Sequence, residues 1–456
     1  MFRNFINRIV GSFKGERHIA PLAVLRMAFG AIMLISTIRF IAKGWIYDFY
    51  IAPKFYFPFY GFEWVKPLPG AVLYIIFACM AVSALFILIG FLYRIAITTF
   101  FTCFVYVELI DKTYYLNHYY FVSVIAFLLL LVPANRYFSI DVIRKPSLKV
   151  TSVPTWTINI FKWQLCFVYF CAGISKLNYD WMINAMPLRI WLPANDHLPV
   201  IGGLLDQTWV AFLFSWFGAF FDLSIGFLLL YKPTRKIAYL LVVIFHVFTG
   251  WLFKIGMFPY IMIFVTVIFF SEDFHKKLIE WLRNIFSRQY VPAPEQPVSL
   301  YFTAAKKKLL YSLLTAFIIL QVLLPFRYLL YPGKLFWTEE GYRFSWRVML
   351  MEKDGIGYFY VKDGTTGKRG EVINAQFLTP LQEKMMATQP DMILQYAHYL
   401  HDYYKDKGMN NPIVTVESYV TLNGNGSQLY IDSTVDLAKQ QENFLPKKWI
   451  LPFKDK

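Results

Sequence analysis

The sequence predicts a polytopic all-α membrane bundle of about nine spans, followed by a small C-terminal α+β domain on the extracytoplasmic side. Three observations carry this. The chain is 57% hydrophobic and 20% aromatic, more than the usual apolar share of a soluble domain. Its apolar residues gather in runs of about 16 to 23 residues, the length that crosses a bilayer. The Lys and Arg residues behind the net charge of +16 sit at the ends of those runs and in short loops. That is the pattern of membrane topology, so a lipid bilayer is the expected partner and nucleic acid is not.

The expected spans lie at roughly 21–42, 70–92, 95–110, 118–134, 157–175, 209–231, 236–253, 256–271 and 309–331. The third and eighth are short, as tilted, re-entrant or bundle-buried segments are. The N-terminus is basic (Arg3, Arg8, Lys14, Arg17), and no small-residue cleavage site follows the first apolar run, so that span is expected to be retained. An odd number of spans puts the termini on opposite sides. With the N-terminus cytoplasmic, the inside segments carry nineteen Lys and Arg and the outside loops seven. The positive-inside bias therefore fits a cytoplasmic N-terminus and an outer C-terminus.

Residues 1–331 form the expected transmembrane domain. Within it, 272–308 is a cytoplasmic linker with an amphipathic stretch from Phe274 to Phe286 and a Pro-rich turn at Pro292 to Pro297, and 309–331 is the last span. From 332 to 456 the apolar runs stop, and a soluble α+β domain is expected. There Tyr342 to Leu350 and Gly357 to Asp363 read as strands, Asp363 to Gly367 as a turn, and Pro380 to Tyr404 as a helix or helix pair. Ile413 to Leu422 and Gln428 to Ile431 read as a hairpin around Asn423-Gly-Asn-Gly426. The four cysteines fall inside apolar runs, which argues against a disulfide framework. Their spacing is not that of a zinc site, and neither a Walker motif nor GxSxG nor HExxH occurs; no metal is expected.

Polar residues at membrane depth are expensive and mark candidate sites. The run Val168-Tyr-Phe-Cys-Ala-Gly-Ile-Ser-Lys176 ends the fifth span on a lysine, with small residues just before it. Desolvation disfavours the charged form of an amine, and a neutral amine can serve as a base. The competing reading is a lysine that ends a helix and snorkels to the headgroups. Asn117 and His118 stand at the entrance of the fourth span, and His246 in the outer half of the seventh, with Lys254 after it. All fall at one depth on the outer side. Each has a structural alternative: Asn117 and His118 as a helix cap, His246 as a hydrogen-bonded bundle histidine, and Asp222, Arg26, Arg39 and Lys162 as mutual pairs. On topology alone, an outer active site, a transport path and a purely structural role all remain open.

Several ordered stretches are more specific. They are Asp111-Lys-Thr-x-x-x-Asn117-His118, Pro133-Ala-Asn-Arg-Tyr-Phe-Ser-Ile-Asp141, Val168-Tyr-Phe-x-Ala-Gly-x-x-Lys176-Leu-x-x-Asp180-Trp181, and Asp222 with Leu223-Ser-x-Gly-Phe. Phe245-His246 is followed by Leu252-Phe-x-Ile-Gly-Met-Phe258; later come Tyr342-x-x-Ser-Trp346 and Asp363-Gly-x-Thr-Gly367. Through these the chain resembles the vitamin K-dependent gamma-glutamyl carboxylases and the bacterial membrane proteins that share their transmembrane domain, over roughly residues 20 to 440.

The resemblance implies an enzyme that oxygenates a reduced naphthoquinone with O2 and uses the strong base so formed to remove a gamma-proton from a peptide glutamate, which then takes up CO2. The co-substrate would be vitamin K hydroquinone or menaquinol, and the partners a naphthoquinol and a glutamate-containing peptide or protein. The family's base lysine falls on Lys176. Its Asn and His, implicated in quinol binding or activation, fall on Asn117 and His118. The quinol-binding set is expected to include His246, Asp222, Trp181 and Tyr169. The expected location is a bacterial inner membrane. The alternatives are a quinol epoxidase without carboxylation, and a non-catalytic lipid- or peptide-binding or transport module.

Overall fold

The computed structural model describes residues 15–253, 255–286 and 298–455. Arg3, Arg8, Lys14, Lys254, Arg288 and the turn at Pro292 to Pro297 lie outside the described residues. Each predicted span is present as helix. They are α1 (Ala20–Ala42), α2 (Gly70–Ile89), α3 (Tyr93–Ile110), α4 (Asn117–Leu131), α5 (Trp156–Lys176), α6 (Thr208–Leu230), α7 (Arg235–Phe253), α8 (Phe258–Thr266) and, after α9 (Glu272–Phe286), α10 (Ala304–Leu323).

Among the described residues seven of these helices are long and apolar enough to cross a membrane, counting α10 with the 3-10 turns that extend it to Leu330. The chain is an integral membrane protein. Two elements depart from the nine-span expectation. Helix α4 has 15 residues, short for a full crossing. The segment Phe258–Phe269 bends by 116° into α9, as the short eighth run foreshadowed. Helix α9 carries the predicted amphipathic pattern. Ile279 and His275 are buried, while Trp281 and Phe274 are exposed.

The loops sort to two ends as the charge count requires. At the first end β1 (Glu16–His18) pairs antiparallel with β2 (Ser152–Pro154), Thr151 N–H donates to Val298 O at 3.0 Å, and Arg17 meets Glu272 at 3.4 Å. At the other end the loops after α1, α3 and α5 meet the C-terminal domain. Its sheet has the order β4 (Arg369–Glu371), β3 (Lys353–Lys362), β5 (Ile413–Leu422), β6 (Gln428–Leu429), all antiparallel. Strand alternation buries Phe359, Val361, Val414, Val416 and Val420 on one face, against α11 (Pro380–Thr388) and α12 (Pro390–Asp406). The predicted helix pair, the hairpin and the turn at Asp363, whose Oδ1 accepts from Thr365 and Thr366 N–H at 2.7 Å, are all present.

One strand is not. Residues 342–350 form no ladder. Their alternating aromatic and apolar residues mimic a strand, but Phe344, Trp346 and Met349 take φ of 61°, 59° and 55°, which a strand excludes. The segment instead turns back into the bundle, and Trp346 is buried against Tyr120.

A buried charge cluster fastens the domain to the bundle. Asp391, at the start of α12, accepts from Lys112 at 2.6 Å and from Arg343 at 2.7 Å. Gln382 Nε2 donates to Phe55 O and to Asp111 Oδ2, both at 2.8 Å. Burial pushes the Asp391 carboxyl up, but Arg343 and Lys112 outweigh it and hold the group well below the usual carboxylate range. A depressed carboxylate contributes stability that is present above its unfolded pKa of ~3.9 and is lost as pH falls below that. Asp391→Asn takes the shared anion from the part-buried Arg343 and from Lys112, which keeps Glu442 at 3.8 Å. It is expected to cost at most about 3 kcal/mol in denaturant unfolding at pH 7, a gap that narrows on acidification below about pH 4. Asp111 behaves oppositely. Burial pushes it up to about 6 against the hydrogen bonds from Thr113 and Gln382, so its charge costs stability as pH rises toward that value.

Candidate active site

Two close-packed helices create the site. Helices α5 and α6 meet at Gly173, where a Cβ would lie 2.7 Å from the backbone nitrogen of Leu223. Only glycine permits that approach. It brings Lys176, the last residue of α5, beside Asp222, the neighbour of Leu223 on α6. The Lys176 Nζ donates to Asp222 Oδ2 at 2.6 Å, and both side chains are buried. Gly173→Ala is expected to cost about 1–3 kcal/mol by overpacking and to lower activity by separating this pair; thermal unfolding and turnover of the same sample check it.

The pair lines a cavity of about 360 Å³ whose walls are otherwise almost wholly apolar. Tyr169 lies two helical turns before Lys176 and so shares its face. Its hydroxyl is 2.9 Å from His246 Nε2 on α7, and His246 Nδ1 has no partner among the described residues. Asn178 caps the short helix Tyr179–Asn184, accepting from Trp181 N–H at 3.0 Å. The Trp181 indole donates to Ser215 O at 2.8 Å, and its ring centroid stands 5.4 Å from Lys176 Nζ. Asn117 reaches the cavity from the start of α4. One of its amide hydrogens goes to Arg347 O at 2.7 Å, and its Oδ1 accepts from Tyr115 OH at 3.2 Å. Among the described residues the second amide hydrogen has no partner.

Six of the seven expected site residues thus line one cavity: Lys176, Asp222, Tyr169, His246, Trp181 and Asn117. His118 does not line it. One residue on from Asn117 is a 100° rotation of the helix. The His118 ring packs on Tyr119 at 4.6 Å and on Phe258 at 5.9 Å; Phe258 lines the cavity and also packs on His246 at 5.6 Å. Leu213 and Phe217 of α6 and Ile244 of α7 line the cavity and are also exposed on the outside of the helix bundle. Trp346, Val348 and Met349 of the C-terminal domain also line the cavity.

Residues 15–274 match the family model of the HTTM domain, and residues 306–456 match that of the vitamin K-dependent gamma-carboxylase, lumenal domain. The chain belongs to the vitamin K-dependent gamma-carboxylase family. No solved structure matches it. Both of the family's segments build the cavity. The transmembrane segment supplies the lysine, the carboxylate, the imidazole and the two aromatic residues, and the lumenal segment supplies the wall from Trp346 to Met349.

Sequence reasoning missed the Trp346–Met349 wall and the main-chain clamp on Asn117. The stretch Tyr342 to Trp346 was visible as a family motif, but its positive-φ path is not encoded in hydrophobic alternation. Nor did the sequence place Asp222 against Lys176. They are 46 residues apart and on different helices, so no helical periodicity relates them.

Proposed function

We propose that this protein is a hydroquinone-dependent gamma-glutamyl carboxylase of the extracytoplasmic membrane face, with the N-terminus cytoplasmic. The observation that carries the reading is the Lys176–Asp222 hydrogen bond in the wall of an apolar cavity within this family's fold. The residues present fit a naphthoquinol. The volume lies in the range of small-molecule sites, the walls are aromatic, and a few polar groups converge. The boundary at Leu213, Phe217 and Ile244 suits a ligand that arrives from lipid.

When bound, vitamin K hydroquinone or menaquinol supplies the electrons that reduce O2 and the strong base that opens a glutamyl C–H bond to CO2. The chain's own residues begin the reaction. Lys176 and Asp222 act as one unit without net charge as it stands. As Lys176 Nζ accepts a proton from a hydroxyl placed against it, the hydrogen between the two groups passes to Asp222 Oδ2. The pair then carries one positive charge beside the new oxyanion, and low-dielectric walls strengthen that attraction. The free amide hydrogen of Asn117 is a preorganised donor for the same oxyanion. Tyr169 fixes the His246 ring, leaving Nδ1 as a second polar contact. Trp181, locked by Ser215, holds the lysine's reach. His118 supports the site from behind Phe258.

The test is one reaction read twice. Purified protein, reduced vitamin K, a glutamate peptide and labelled bicarbonate should yield epoxide and labelled peptide together. Epoxide without label would reduce the function to quinol epoxidation. Neither product, with the protein folded, would leave a binding or transport module.

A further inference from the structure

A second cavity, of about 270 Å³, lies between α3, α4 and α10 and shares no residue with the first. Phe101, Val105, Phe127 and Phe317 give it apolar walls. Its mouth is a ring of aromatics: Tyr115 and Phe344 meet at 4.9 Å, Tyr120 and Phe344 at 5.0 Å, and Phe59 and Phe344 at 5.7 Å. Glu108 projects into it from the last turn of α3. Among the described residues no hydrogen bond or ion pair reaches its carboxyl, although Asp111, one turn on, is fully engaged. Next to this cluster the Arg327 guanidinium sits 5.9 Å from the Phe344 ring, and among the described residues its one hydrogen bond goes to Arg343 O at 2.8 Å.

A carboxylate without a cation, framed by aromatic faces, is a site for an ammonium group. A guanidinium beyond the same rim complements a phosphate. An apolar slot between membrane helices takes an acyl chain. We propose that this cavity binds a phospholipid with an ammonium headgroup, its nitrogen on Glu108, its phosphate toward Arg327 and one acyl chain among Phe101, Phe127 and Phe317. The two cavities are separated by a shared wall. Tyr115 and Phe344 line this one, Tyr115 also clamps Asn117, and Tyr120 stacks on Trp346 at 4.8 Å. A bound lipid would brace the side of the first cavity that carries Asn117.

Native mass spectrometry and thermal unfolding of the full chain in mixed micelles test this with phosphatidylethanolamine and phosphatidylglycerol of identical chains. Wild type is expected to retain phosphatidylethanolamine about tenfold better, the effect of one hydrogen bond to a charged group. Glu108→Gln should lose that preference. Val105→Phe, which narrows the slot and keeps the carboxyl, should lose the adduct itself. Free phosphoethanolamine should not raise the unfolding midpoint. If it stabilises as well as the lipid does, the ligand is a soluble amine and the lipid assignment fails. Equal retention of the two lipids by wild type, or wild-type behaviour in both variants, overturns the site.

Discussion

Lys176→Ala is expected to abolish epoxide formation, a loss of about 10²–10⁴-fold at minimum if the lysine is the proton acceptor. The single variant also leaves Asp222 buried without its cation, which costs several kcal/mol by itself. Lost activity could then reflect a damaged fold. The double variant Lys176→Met with Asp222→Asn separates the two effects. It carries no uncompensated charge, so it should unfold near the wild-type midpoint and still make no epoxide. Lys66→Ala, on an exposed outer-loop lysine, should be indistinguishable from wild type. A non-catalytic module would make Lys176→Ala no worse than Lys66→Ala.

Asp222→Asn is the second large effect. Removing one partner of a buried pair costs about 3–5 kcal/mol. The catalytic consequence differs in kind from a structural one. With the carboxylate gone, no group takes the hydrogen that Lys176 must release as it accepts the quinol proton. Epoxide turnover should therefore fall by about 10²–10⁴-fold while naphthoquinol binding is kept. An equal loss of turnover and of naphthoquinol binding would make Asp222 a packing residue. Asp222→Glu, which keeps the charge, should recover part of the rate.

Much of the bundle was legible in the sequence because a bilayer leaves few choices. Backbone polar groups must be satisfied within each span, so apolar runs of sufficient length become helices. Charge bias then sorted the loops to two ends, and the contacts of Arg17 with Glu272 and of Lys112 with Asp391 join segments assigned to the same side. The exceptions have local causes. Residues 342–350 alternate like a strand, but Trp346 finds a deeper site against Tyr120 and Phe121 than any ladder would give it. The short eighth run is a helix that bends by 116° into the amphipathic helix after it.

The site was legible through the motif stretches more than through residue chemistry. Lys176, Asn117 and His246 stood out as polar groups at one depth. Asp222 alone read equally well as structural glue. Its place beside Lys176 depends on the close approach at Gly173, a three-dimensional fact. His118 illustrates the converse: adjacency in sequence to Asn117 put it on a neighbouring face, with Phe258 between it and the cavity.

The proposed reaction begins where a quinol hydroxyl meets the Lys176–Asp222 pair, and a structure determined with a non-oxidisable reduced-naphthoquinone analogue would show whether it does. A ring oxygen is expected within hydrogen-bond distance of Lys176 Nζ, with the Asn117 amide on the same oxygen and the tail leaving toward Phe217 and Ile244. An analogue bound elsewhere, with the Lys176–Asp222 bond intact and untouched, would contradict it.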